Sequence, residues 1–146
     1  MRLLLLFGLL SFSTIFISCG GDDDIEGVWI VESFTTTECN DPSDNGSETG
    51  YSMVPCTETS EDDCDSFIVT FAATTYTSVL TSTFNENVFT DTGSGTYTIE
   101  GDRLTLCEDG SDCEGNTFSL NGNVITITSD PDEDDGCVLV ITARKS

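Results

Sequence analysis

TYTIEGDRLTL, residues 96–106, and TFSLNGNVITI, residues 117–127, are one pattern written twice at an offset of twenty-one positions. Tyr97 answers to Phe118, Ile99 to Leu120, Leu104 to Ile125 and Leu106 to Ile127, with Gly101 and Gly122 at the two centres. An apolar residue at every second position on both sides of a glycine turn is the signature of a half-buried antiparallel hairpin, and Asn121-Gly122 is the strongest short turn signal of that kind. Loops of two or four residues give the same parity. In either case Tyr97, Ile99, Leu104 and Leu106 share one face, and so do Phe118, Leu120, Ile125 and Ile127.

Working outward, residues 27–34 (GVWIVESF) predict a first strand, with Trp29 and Val31 on one face and Val28, Ile30 and Phe34 on the other. Residues 67–71 alternate again, and residues 75–84 pair back across Ala72-Ala73-Thr74-Thr75, so that Phe71 faces Tyr76. Residues 137–144 (CVLVITAR) are the last strand, and residues 85–94, with Phe89, predict an irregular connection. The long polar stretch 35–66 predicts a lid, a stapled excursion or an interaction surface. The expected fold is therefore all-β: eight antiparallel strands in up-and-down order, closed into a barrel that leaves no edge unpaired. First and last strands are then neighbours, and alternate connections lie at opposite poles. The tight turns gather at one pole. Residues 35–66, 85–94, 107–116 and 129–136, with most of the acids, form a crown at the other.

Four Lys and Arg against 27 Asp and Glu give a net charge of −23, which excludes nucleic acid as a partner because phosphate binding needs a basic face. The absence of histidine removes Ser-His-Asp triads and His-ligated metals. No pair of carboxylates stands out for glycosidase-type work, so no catalytic residue is assigned and a non-enzymatic binding or interaction module is expected.

The chain opens with Met1-Arg2, an apolar core LLLLFGLLSFSTIFI and Ser18-Cys19. That core is too short to span a membrane comfortably and fits an export signal. Residues 1–18 are thus expected to be the signal, 19–26 a tether and 27–146 the barrel. Seven cysteines are an odd count, so any set of disulfides within the chain leaves at least one over. Cys39, Cys56, Cys64, Cys107, Cys113 and Cys137 would close three disulfides in an oxidising compartment, with fifteen pairings open. We expect Cys107 with Cys113 across a short loop, Cys56 with Cys64, and Cys39 with Cys137 because the first and last strands adjoin.

Three resemblances follow from these residues. Ser18-Cys19 behind the apolar core resembles the lipobox of bacterial lipoproteins, which implies that Cys19 is acylated and holds the domain on a membrane. The acidic run Gly20-Gly21-Asp22-Asp23-Asp24 resembles the export tag that sends lipoproteins of the Bacteroidota to the outer face of the outer membrane, with a periplasm-facing anchor as the alternative. Gly27-Val28-Trp29 and the two hairpins resemble the lipocalin-like domain of such lipoproteins over residues 25–145. The lipocalin resemblance implies that an Arg stacks on the motif Trp, and Arg144 is the positional match, a contact worth about 0.5–2 kcal/mol.

Trp29, Phe67, Phe71, Tyr76, Phe84, Tyr97 and Phe118 are the expected interior set, joined by Arg144. In strands of about five to eight residues they are expected to fill a small barrel. The alternative is a pocket for a small apolar ligand carried in the lumen. A second alternative is a structural surface protein whose crown binds cations or a partner. Asp130, Asp132 and Asp134 in DPDEDDG alternate as calcium ligands would, but an EF-hand loop needs Gly and Glu where this chain has Asp135 and Ile141. No cofactor is expected beyond that weak calcium reading.

Overall fold

The computed structural model describes residues 25–57, 63–85 and 87–146. The expected export signal, Cys19, Asp22, Asp23 and Asp24 of the expected tether, and Glu58, Glu61, Asp62 and Glu86 lie outside the described residues. The strands are β1 (Gly27–Thr37), β2 (Gly46–Thr49), β3 (Asp65–Ala72), β4 (Thr75–Phe84), β5 (Asn87–Glu100), β6 (Arg103–Glu108), β7 (Cys113–Asn121), β8 (Val124–Ser129) and β9 (Val138–Lys145). Every pairing is antiparallel. From β3 to β9 each strand pairs with the next, β3 returns to β1, and β1 pairs with β9 to close the ring. This is the eight-stranded meander barrel predicted, with β2 as an additional short strand.

The repeated hairpins take the expected register. Tyr97 pairs with Leu106 and Ile99 with Leu104, then Phe118 with Ile127 and Leu120 with Ile125. Gly101 and Gly122 open their two-residue loops at φ of 67° and 63°, a conformation that costs glycine nothing.

Three local departures from the predicted pattern shape the mouth of the barrel. First, the β1–β9 register shifts between Val31 and Ser33, leaving Glu32 as the extra residue of a β-bulge. The bulge reverses the parity beyond it. Phe34 therefore joins Trp29 and Val31 on the inside, packed against the core, rather than Val28 and Ile30 on the outside. Second, β1 divides its free edge. Gly27 to Ile30 pair with β3, and Ser33 to Thr36 pair with β2 from the long connection. Third, residues 87–94 are not an irregular connection. They begin the 14-residue β5, which pairs with β4 from Thr75↔Thr96 out to Phe84↔Asn87. The outer part of this hairpin overshoots the barrel, so Phe84 and Phe89 are 58% and 60% exposed. Phe84 is thus no interior residue: its parity points inward, but no barrel surrounds it at that height.

The core sits at the tight-turn pole. Ile25, Trp29, Tyr97, Leu104 and Phe118 are buried there with Val31, Phe71, Ile125 and Ala143. Trp29 is 1% exposed, and its indole N–H donates to the Ile25 carbonyl at 2.7 Å. Burying such a side chain contributes about 1.5–3 kcal/mol. Ile25 therefore belongs to the barrel, which starts two residues before the boundary drawn from sequence.

The disulfides are Cys39–Cys137, Cys56–Cys64 and Cys107–Cys113. The first links the far ends of β1 and β9. The second anchors the long connection, with help from two buried hydroxyls. Ser66 Oγ accepts from the Cys56 N–H at 3.0 Å, and Thr83 Oγ1 accepts from the Cys64 N–H at 3.0 Å.

Candidate functional site: the lumen and its acidic mouth

Above the plug of core side chains the barrel is hollow. An apolar cavity of about 200 Å³ runs up the lumen, lined by Trp29, Val31, Phe67, Val69, Phe71 and Tyr76 from one side and Leu106, Ile125, Ile127, Leu139, Ile141 and Ala143 from the other. The expectation of a filled barrel is corrected here. The inward positions at mid-height include Val31, Ser78 and Ala143, which are too small to meet across the lumen, and β1, β4 and β5 are longer than the strands assumed. Aromatic edges frame the space: Phe71 and Tyr97 meet at 5.1 Å and 82°, and Phe34 contacts Phe67 at 5.5 Å and Tyr51 of the long connection at 5.4 Å.

At its upper end the cavity changes character. Ser78, Glu114, Asn116 and Ser129 bring polar atoms to its wall, and Asn116 is only 7% exposed. Glu114, Asn116, Ser129 and Leu139 also line a second, open cavity of about 500 Å³ whose other walls carry Asp130, Asp132 and Asp135. Glu114 and Asn116 alternate inward on β7 with Phe118 and Leu120 below them, so a single strand runs from acidic mouth to apolar plug. The field of the acids reaches the lumen. Burial first, and then the carboxylates of Glu108, Glu114 and Asp109, raise the Tyr76 phenol above its ordinary value of 10.0.

Of the residues expected inside, Trp29, Phe67, Phe71 and Tyr76 line the cavity. Tyr97 and Phe118 lie buried in the plug beneath it. Phe84 is outside, and so is Arg144. Arg144 faces solvent from β9, where its Nε donates to Glu32 Oε1 at 2.8 Å. The cation over the Trp29 ring is Lys145, with Nζ 5.4 Å from the ring centroid, because Trp29 pairs with Lys145 and Arg144 pairs with Ile30. One residue along a strand is the opposite face. The small and aliphatic lining residues lie outside the expected set, which comprises aromatic side chains and Arg144. Inward parity along each strand was the signal that would have found them.

Two of the three alternating aspartates have partners within the protein. Asp130 accepts both Nη groups of Arg103, which holds its carboxyl below the ordinary 3.8. Asp132 Oδ1 accepts the backbone N–H groups of Asp134 and Asp135 at 2.8 and 3.3 Å. Among the described residues no group of three His, Cys, Asp or Glu side chains is placed to hold a metal ion.

No family model matches the chain, and no curated protein matches it. Among solved structures, the crystal structure of lobster apocrustacyanin A1 aligns at 16% identity and a TM-score of 0.43. The alignment covers 82% of this chain and 60% of that one, so this chain spans about three fifths of the crustacyanin's length.

Proposed function

We infer that the protein is a non-enzymatic binding protein that carries a small apolar molecule in its barrel lumen. The observation behind this reading is the apolar cavity of about 200 Å³ closed below by the plug and open above to the acidic mouth. Such a void has a cost. Empty apolar space forfeits dispersion contacts on every wall, and cavities of roughly 150 Å³ lined by aliphatic and aromatic groups stay dry and take up benzene. At about 200 Å³ the lumen is smaller than the roughly 300–1,000 Å³ of pockets for drug-sized ligands, so the cargo is small.

The single tryptophan lines this cavity and reports on it. Titrating toluene into the purified chain should change Trp29 fluorescence saturably, and Ala143→Phe, which fills the lumen, should abolish the response. Equal responses from both chains would overturn the reading. Organic extraction followed by mass spectrometry would identify a cargo retained from the cell.

The same proposal places the barrel on a membrane through an acylated Cys19, at the outer face of the outer membrane. Its support is the apolar core ending in Ser18-Cys19, the acidic run behind it and the position of Gly27, which pairs with Phe71 at the tight-turn pole. A tether attached there leaves the mouth facing away from the lipid. Cells fed an alkyne palmitate should label the chain and not its Cys19→Ala variant, and protease shaving of intact cells should remove the barrel.

A further inference from the structure

We propose that the cargo is a cationic amphiphile, with a ring or short chain in the lumen and an ammonium group at the lip beside Glu114. The inference rests on the lumen reading above and goes on to its ligand class. Three observations lead to it. The apolar lumen and the open mouth share Glu114, Asn116, Ser129 and Leu139, so a molecule seated below projects its upper end past these side chains. The charged side chains that line the polar end of that path are all acidic. Glu114, Asp132 and Asp135 line it, no Lys or Arg is among the described lining residues of either cavity, and the one neighbouring cation, Arg103, is committed to Asp130. Finally, the Glu114 carboxylate accepts no hydrogen bond and makes no ion pair among the described residues, although it borders an apolar space.

The Glu114 carboxylate is exposed at the rim of the apolar space, where it discriminates by sign with solvent screening part of the effect. An ammonium group there gains a charge-assisted hydrogen bond, whereas a carboxylate head is repelled. The same field already opposes ionisation of the Tyr76 phenol on the lumen wall. A fatty acid, with a long tail and an anionic head, fits neither the volume nor the lip. Asn116, nine-tenths buried beside Glu114, adds an amide to orient a head group that donates hydrogen bonds.

The test compares three probes that share a ring and differ in head: 2-phenylethylamine, 2-phenylethanol and phenylacetate. Each is titrated into the full chain with Trp29 fluorescence and calorimetry as readouts, and toluene serves as the reference for the lumen. The amine should bind about three-fold or more tighter than the alcohol, and phenylacetate weakest of the three. Glu114→Gln should bring the amine level with the alcohol, and an unchanged circular dichroism spectrum and melting temperature show that the variant is folded. Added salt should weaken the amine and not the alcohol. Equal binding of amine and alcohol, or an amine preference that survives Glu114→Gln, overturns the ligand class and leaves the lumen reading standing. Failure of toluene and all three probes to bind overturns both.

Discussion

Trp29 shows how much of this barrel hangs on single side chains. Its indole fills the lower lumen, its N–H satisfies the Ile25 carbonyl and its face lies under Lys145. Trp29→Phe keeps an aromatic ring but leaves a buried carbonyl without its donor, so urea unfolding followed by circular dichroism should show a loss of about 1–3 kcal/mol. The ion pair between Arg103 and Asp130 belongs to a different class, because both groups are exposed. The folded Asp130 carboxyl titrates below 3.8, so the stabilisation is fully present above that pH and is lost as pH falls through the folded value. In Arg103→Gln the Asp130 carboxyl carbon, followed by NMR, should titrate closer to the ordinary value. At this scale the sequence was legible in kind and not in position. A cation over Trp29 was expected, and the neighbour of the expected residue supplies it, because a strand turns a one-residue error into the opposite face.

Among the elements, the doubled hairpin was fully legible, since alternation and a glycine turn are local properties of the chain. The outer half of β5 was not. Its residues 87–95 (NVFTDTGSG) carry the composition of a loop, and the strand exists because β4 holds it in register, a case of pairing overriding propensity. The bulge at Glu32 was equally hidden, since it appears only when β1 is matched against β9. Disulfides add a term that depends on how much chain they enclose. Cys39–Cys137 spans 98 residues and Cys107–Cys113 spans 6. In the chain-entropy picture their removal should cost about 4–5 and about 2 kcal/mol respectively. Chemical denaturation of the paired Cys39→Ala/Cys137→Ala and Cys107→Ala/Cys113→Ala chains checks the order, and a larger loss for the second pair would contradict that picture here.

For the molecule as a whole, two opposing distributions decide behaviour: an apolar plug at one pole and acids crowded towards the other. A net charge of −23 repels itself in the compact state, and salt relieves that repulsion. Raising ionic strength from about 0.01 M to about 0.15 M shortens the screening length from roughly 30 to 8 Å. The melting temperature, followed by circular dichroism, should rise across that range. The barrel and its two unlike poles were legible from strand order alone. The cavity was not, because a void is set by which small residues meet at one height across the lumen, a property of eight strands together.

The chain also leaves the barrel where it came in. Ser146 donates its N–H to the Val28 carbonyl at 2.9 Å, and Lys145 lies opposite Trp29 on the neighbouring strand. A ring of strands whose two described ends touch has no preferred starting point. Joining Ser146 to Ile25 through a short linker and opening the chain at the loop of Gly101 or Gly122 would keep every strand neighbour and every disulfide in place. The order of the strands around the wall, and not the point where the chain enters it, is what defines this barrel.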